Sequence, residues 1–306
     1  MNQQLQDVST PTRDESSGGA ALARQVMQKV AGRDTHGAVM IRPDGRQLRI
    51  VTDPYPEQTR SNDSEEKVHD GPKREAITGF SASSRRRLRQ LVHSLKRNTR
   101  SKFLTLTWHE VCPTPTEAKR ALDVFFKRMK RRFPDASAVW KMEPQKRGFP
   151  HFHLFVYGLP NVPYRKLSRI WHECTQEVSD QHRKSGVDVM EVGVQSNDGR
   201  LQVYLSKYFS KESDGWPTEQ LPGDVGKSWA HPGRFWGVWN RSCLPVAAWS
   251  STEIPLPKSA ARWLIRKLVE AWGMDLPEGV IPPSMTINTR GDPSEYARKL
   301  LARVSQ

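Results

Sequence analysis

The sequence predicts an α+β fold in which a central, mostly antiparallel sheet carries helices packed against it. Segments with strand-like and helix-like spacing follow in the order strand, helix, strand, strand, helix, strand, helix. Two consecutive strand-like runs are joined only by the turn-like residues 144–148, which favours a hairpin. The predicted divisions are a weakly structured, basic N-terminal arm at 1–78, the α+β domain at 79–245 and a helical C-terminal region at 246–306.

Composition narrows the class of partner. The 306 residues carry a formal net charge of +15, which indicates a polyanion such as nucleic acid or an acidic membrane. No run of 18 apolar residues occurs, and the N-terminus has no apolar signal core, so we expect a cytoplasmic protein and favour nucleic acid. Cys112, Cys174 and Cys243 are too scattered to indicate a disulfide framework or a zinc finger.

The first strong helical pattern, at 81–98, is cationic. No acidic residue occurs from Ala76 to His109, and Leu88 and Val92 belong to one apolar stripe. A solvated face usually mixes charge signs, so this face favours contact with DNA phosphates, although a purely solvated face stays open. The predicted DNA-binding residues here are Arg85, Arg86, Arg87, Arg89, Lys96 and Arg97.

The elements that follow are placed by hydrophobic spacing and helix-start signals. Thr114 or Thr116 can cap the first of the helices, with Pro115 and Glu117 in its first turn. Residues 39–51 also have the composition of a strand or two. The predicted order is a strand at 102–108, a helix from 114 to about 133, strands at 138–142 and 149–157, a helix at 163–180, a strand at 187–192, and helices at 200–212, 257–272 and 294–304.

A metal site is predicted on the hairpin. His151 and His153 lie on the same face of their strand, about 7 Å apart, and two such imidazoles can share one ion. The hairpin brings Glu143 back beside them, which gives two imidazoles and a carboxylate with positions left for water or phosphate oxygens. Two hydrogen-bonded histidines on a half-buried sheet are the simpler alternative for a bare His-x-His.

Tyrosines and lysines share one face of the predicted helix at 200–212. Tyr204, Lys207, Tyr208 and Lys211 have the spacing i, i+3, i+4 and i+7. A nearby ammonium favours the phenolate and stabilises charge on a phosphate. Tyrosine is a suitable nucleophile for a DNA phosphodiester, because the phosphotyrosine bond keeps the energy needed to rejoin the strand. A tyrosine stripe that only packs in the core is the alternative.

The segment from 215 to 240 is rich in Pro, Gly and Trp. Gly226-Lys227-Ser228 is not a P-loop, because Leu221 stands where the signature needs glycine. Two interpretations are open: a small aromatic core, or a platform that stacks unpaired bases and binds phosphates. The residues concerned are Trp229, Phe235, Trp236, Trp239, Lys227, Arg234 and Arg241. Arg234, together with Lys146 and Arg147 of the hairpin turn, completes the predicted DNA-binding set.

Three motifs in this order resemble the HUH endonucleases (His-hydrophobic-His), the replication initiators of rolling-circle plasmids and single-stranded DNA phages. They are Phe103-Leu104-Thr105-Leu106-Thr107, His151-Phe152-His153, and Tyr204-x-x-Lys207-Tyr208-x-x-Lys211, which resembles the two-tyrosine form. In relatives an upstream glutamate completes the metal site, and Glu143 fits that place. The resemblance covers about residues 100 to 240 and implies an HUH palm related to the RRM fold.

The resemblance implies site-specific nicking and rejoining of single-stranded or hairpin origin DNA through a 5′-phosphotyrosine, with Mg²⁺ or Mn²⁺ as cofactor. Tyr204 and Tyr208 would be the nucleophiles, with Lys207 and Lys211 steadying phenolate and phosphate. Since no Walker motif occurs, a host helicase and DNA polymerase are the expected partners. A transposase or relaxase with the same chemistry, a non-catalytic origin-binding protein and a zinc hydrolase are the alternatives.

Overall fold

A computed structural model describes residues 37–52, 76–96, 99–192, 215–250, 253–274, 276 and 279–304. The predicted tyrosine helix at 200–212 lies outside the described residues, and so does Arg97. The strands are β1 Gly37–Arg42, β2 Gln47–Val51, β3 Ser101–Thr107, β4 Ser137–Pro144, β5 Pro150–Tyr157, β6 Val187–Val192, β7 Trp236–Trp239, β8 Ile254–Leu256 and β9 Ser284–Asn288. The α-helices are α1 Ala82–Ser94, α2 Pro115–Arg132, α3 Tyr164–Thr175, α4 Asp180–Ser185, α5 Gly223–Ser228, α6 Lys258–Ala271 and α7 Pro293–Val304.

The chain divides into two compact units, each with one antiparallel sheet. In the first unit the strand order is β8-β1-β2-β9. Its core joins Val39 and Ile50 of the sheet to Leu264 of α6 and Leu301 of α7, all fully or nearly fully buried. The strands expected within 39–51 are confirmed, and their pairing with C-terminal strands had not been anticipated from the sequence.

The second unit contains the predicted α+β domain. Its described strands have the order β6-β3-β5-β4-β7, and every pairing is antiparallel, which confirms the predicted fold class. The helices α2 and α3 cover one face of this sheet. Phe152 of β5 lies 5.9 Å from Trp108 and 5.8 Å from Trp140, and Trp171 of α3 lies 5.7 Å from Phe125 of α2 (ring centroids). The interlocked aromatic side chains exclude water from this face, so the other face is left for polar side chains.

Helix ends follow local capping chemistry. Thr114 caps α2 in a capping box with Glu117, as predicted from the sequence. The single helix predicted for 163–180 is wrong: α3 ends at Thr175, Gln176 adopts a left-handed conformation with φ of 60°, and Ser179 caps α4. The break lets the carboxylate of Glu177 turn inward, where it is almost completely buried.

The helix α1 is shorter than the predicted 81–98. It begins after the Ser81 cap and ends at Ser94, because Leu95 leaves the helix to form a β-bridge with Val246. Leu88 and Val92 are buried, as the apolar stripe predicted, whereas Arg86 and Arg89 are exposed.

The Trp-rich segment contains a small aromatic core. Trp229 is fully buried and stacks on Trp216 at 3.9 Å between ring centroids, and Phe235 is also buried. Trp229 and Phe235 therefore do not offer free faces to bases, and the aromatic-core interpretation is correct for both. Among the described residues, none of the helices has the length and apolar character needed to span a bilayer.

Candidate metal centre and nucleic-acid groove

The β4–β5 hairpin places the predicted metal ligands side by side. Its turn closes through hydrogen bonds from the Gln145 amide to the Phe149 carbonyl (2.7 Å) and from the Gly148 amide to the Gln145 carbonyl (2.9 Å). Gly148 has φ of +82°, a conformation that only glycine adopts at little cost. The resulting register sets Glu143 directly opposite His151. The turn residues thus determine which side chains share the site.

Three potential ligand atoms converge on this face. The Nε2 atoms of His151 and His153 are 3.0 Å apart, and Glu143 Oε2 lies 3.3 Å from His153 Nε2 and 4.0 Å from His151 Nε2. The side chains of Glu143 and His151 are 19% and 20% exposed, whereas that of His153 is 4% exposed. Two imidazoles and a carboxylate with an open side fit a metal ion that keeps free coordination positions. The predicted juxtaposition is therefore present.

The electrostatics of the cluster keep its ligands in the metal-binding state. Burial alone would raise the pKa of Glu143, but the hydrogen bond from His153 and the charge of Lys141 lower that pKa to about 2. Burial, reinforced by His153, lowers the pKa of His151 to about 4. At neutral pH the carboxyl group is therefore ionised and the His151 imidazole is neutral, which are the forms that bind metals.

Two supporting side chains were not predicted from the sequence. Lys141 is 1% exposed and pairs with Glu143 Oε1, so the other carboxylate oxygen is the one directed at the histidines. Thr105 Oγ1 lies 3.2 Å from His153 Nδ1, and this contact orients the ring so that Nε2 faces the site. A lysine inside the apolar run Ala138–Met142 was the available signal for the first, and strand alternation in β3 was the signal for the second.

A cationic groove of about 1400 Å³ lies in the same unit. Its described lining contains four arginines and no acidic residue, so its electrostatic character suits phosphate groups. Phe80, in the lining, lies 5.2 Å (ring centroid) from Lys141 Nζ, and Trp236, also in the lining, pairs with Lys141 in the β4–β7 register. The groove therefore adjoins the metal cluster through Lys141. The four arginines are Arg85, Arg87, Arg234 and Arg241.

The other predicted DNA-binding residues are spread over the unit. Lys96 and Lys146 are exposed. Arg147 donates hydrogen bonds to the carbonyls of Trp108 (2.5 Å) and His109 (2.8 Å), which fastens the loop after β3 to the hairpin turn. Its contact with DNA stays a prediction. The positions of Tyr204, Lys207, Tyr208, Lys211 and Arg97 lie outside the described residues, so their roles also stay predictions.

The fold and the cluster together define an antiparallel α+β domain with a candidate His-His-Glu metal centre beside a basic groove. Residues 101–213 match the model of a family of replication-associated proteins of the ORF2 type, over a little more than a third of the chain. The matched region contains Glu143, His151 and His153, and it supports a rolling-circle replication initiator. Comparisons with curated proteins and with solved structures gave no significant match.

Proposed function

We propose that the protein is an HUH endonuclease of the two-tyrosine type, which nicks origin DNA and rejoins it to start and end rolling-circle replication. The convergence of Glu143, His151 and His153 on one sheet face carries the proposal. The match of 101–213 to a replication-associated family supports it, and so does the cationic groove next to the cluster.

Each described residue has a task in this proposal. Mg²⁺ or Mn²⁺ held by Glu143, His151 and His153 would polarise the scissile phosphate and offset its charge in the transition state. Lys141 holds one oxygen of Glu143, and Thr105 orients His153, so both act by positioning a ligand. The groove arginines bind flanking phosphates and hold a single strand across the cluster.

The covalent step uses a tyrosine of the 200–212 segment. The phenolate oxygen of Tyr208 or Tyr204 attacks the phosphorus, the bond from phosphorus to the 3′ oxygen breaks, and that oxygen takes up a proton. One strand end is then a 5′-phosphotyrosine and the other is a free 3′-OH that primes synthesis. Attack by a 3′-OH on the phosphotyrosine reverses the step. Lys207 and Lys211 stabilise the phenolate and the phosphate.

The proposed partners are single-stranded or hairpin origin DNA, a host helicase and a host DNA polymerase. A transposase or relaxase would share the chemistry and differ only in its DNA target. A protein that merely binds origins has no need of a metal centre, so a covalent product separates these classes.

The decisive experiment incubates the full chain with labelled single-stranded origin DNA and Mn²⁺ and looks for a covalent adduct by denaturing electrophoresis. We expect an adduct with the wild type and with Tyr164→Phe, a control at an exposed tyrosine of α3. EDTA and the double variant Tyr204→Phe/Tyr208→Phe should each abolish it. An adduct formed by the double variant would show that neither tyrosine is the nucleophile.

A further inference from the structure

A second group of metal-binding side chains lies at the other end of β3 from its start at Ser101. His109 follows β3, Glu177 lies in the link between α3 and α4, and His182 lies in α4. One potential ligand atom from each of the three lies within 4.8 Å of the other two. The ring of His182 is 5.1 Å from that of His109 and 5.5 Å from that of His172, in the last turn of α3.

Glu177 is held in place through its backbone partners. Its Oε1 accepts hydrogen bonds from the amides of His109 (2.8 Å), Glu110 (2.9 Å) and Val111 (3.3 Å). Its side chain is 1% exposed, and its Oε2 lies 3.2 Å from His182 Nε2. One carboxylate oxygen therefore orders the loop after β3, and the other is directed toward the histidines.

The tautomer of His182 is set by a backbone contact. Its Nε2 lies 2.8 Å from the carbonyl oxygen of Thr107, which can only accept a hydrogen bond, so Nε2 carries the proton. The lone pair of the neutral ring is then on Nδ1. A ring nitrogen that donates to a backbone carbonyl while the other is left for a ligand is the usual arrangement of metal-binding histidines.

Four ligand atoms of this cluster lack a hydrogen-bond partner. Within the described part of the chain, nine buried side-chain polar atoms are in this condition, and four of them belong to this one cluster. Buried polar atoms are nearly always satisfied, so four together at one place indicate a shared partner. The four are His109 Nδ1, His172 Nε2, Glu177 Oε2 and His182 Nδ1.

We propose that this cluster is a second metal site, which binds Zn²⁺ through His109, Glu177 and His182, with His172 as the fourth ligand. Three imidazoles and one carboxylate are suitable donors for four-coordinate zinc, and they are poorly suited to Mg²⁺, which prefers oxygen ligands and water. Glu177 and His182 are almost completely buried, which is typical of a closed, structural site.

Such an ion would fix the end of β3. The amide of Thr107, the last residue of β3, donates to the Gly186 carbonyl, and its own carbonyl accepts from both His182 and Trp171. Thr107 pairs with His151 in the β3–β5 register. The second site therefore anchors the strand that lies directly beside the candidate catalytic ligands, and it does so without contacting substrate.

The test uses the full chain with the first site removed by His151→Asn/His153→Asn. After equilibration with Zn²⁺ and gel filtration, mass spectrometric metal analysis should find about one zinc per chain. Replacement by Co²⁺ should give the intense visible absorption of four-coordinate cobalt, and Zn²⁺ should raise the Tm. Adding His109→Gln/His172→Gln, at two partly exposed positions, should remove the metal, the absorption and the Tm shift, whereas His231→Gln, at an exposed histidine, should leave all three.

Two results would overturn the proposal. One is a negligible zinc content in the His151→Asn/His153→Asn protein, with folding verified by circular dichroism. The other is full zinc retention after His109→Gln/His172→Gln. Either result would mean that buried water, and not a metal ion, satisfies the four atoms. Neither result bears on the proposed endonuclease activity, whose test is the covalent adduct.

Discussion

The two histidine–glutamate clusters have similar donors and opposite accessibility. In the first, Glu143 and His151 are about one fifth exposed and lie on an open sheet face. In the second, Glu177 and His182 are at most 1% exposed and lie among helix ends. Catalytic metal sites keep a position for substrate, whereas structural sites are closed. The difference in access, rather than in ligand type, therefore assigns chemistry to the first cluster and anchoring to the second.

The two glutamates are also held differently. Glu143 is positioned by side chains, since Lys141 and His153 contact its two oxygens. Glu177 is positioned by three backbone amides. A carboxylate held by side chains can adjust when a substrate phosphate and a metal ion arrive, while one held by backbone amides fixes the loop itself. The predictions below test this division of roles.

The largest expected effect is loss of nicking in His153→Ala. Catalysis depends on one ion, whereas DNA binding depends on many cationic groups, so nicking should disappear while binding is mostly retained. Gel assays of nicking and fluorescence anisotropy of binding would measure the two, with His231→Ala as a matched control at an exposed histidine. Full nicking by His153→Ala, or in the presence of EDTA, would remove the metal from the mechanism.

The tyrosine variants should give a loss of similar size but with divided roles. Tyr204 and Tyr208 lie one helical turn apart, about 6 Å along the predicted helix axis, so only one can be in line with the scissile phosphate at a time. We expect Tyr208→Phe to lose the adduct on a single-origin substrate. Tyr204→Phe should still form it but fail to terminate a round, which gives products longer than unit length. The reverse pattern would exchange the two roles.

An intermediate effect is expected from the groove arginines, which should serve the open cluster alone. Arg85 and Arg87 line the groove and Arg86 is exposed beside them. If the cationic surface neutralises about four phosphates, the slope of log K against log salt on single strands should be at least about −3. Changing the three to glutamine should flatten this slope by up to about two units.

The matched control for the arginine experiment is Arg131→Gln/Arg132→Gln, at the exposed end of α2 and away from the groove lining. This variant has a comparable loss of net charge and should change the slope less. Equal slopes for the wild type and the α1 triple variant would mean that α1 faces solvent and does not touch DNA.

The first cluster was predictable from the sequence because it is local. Period-two alternation places His151 and His153 on one face, and a short turn returns Glu143 to them across eight residues. Lys141 was visible as a charge in an apolar run but had no assigned partner until the register was known. Spacing along the chain was sufficient to derive the ligands but not the residues that orient them.

The second cluster was not predictable, because His109 and His182 are far apart in sequence and meet only through tertiary packing. The helix break at Gln176, which turns Glu177 inward, is likewise a tertiary effect: the helical spacing of 163–180 continues past it. The pairing of β1 and β2 with strands near residues 254–288 is non-local for the same reason. Sequence patterns report local periods, and these features depend on contacts between distant segments.

The smallest expected effect concerns the ring orientation of His153, and it sharpens the distinction between side-chain and backbone support. Thr105→Val removes the contact to His153 Nδ1 while preserving the volume and the β-branched shape of the side chain. Loss of a partner that orients a metal ligand should raise the Mn²⁺ concentration for half-maximal nicking by about 10-fold. Thr105→Ser keeps the hydroxyl and should stay close to the wild type in a metal titration of nicking. If Thr105→Val and Thr105→Ser titrate alike, the hydroxyl does not orient His153, and the stacked ring of Phe103, 5.3 Å from that of His153, is the support that matters.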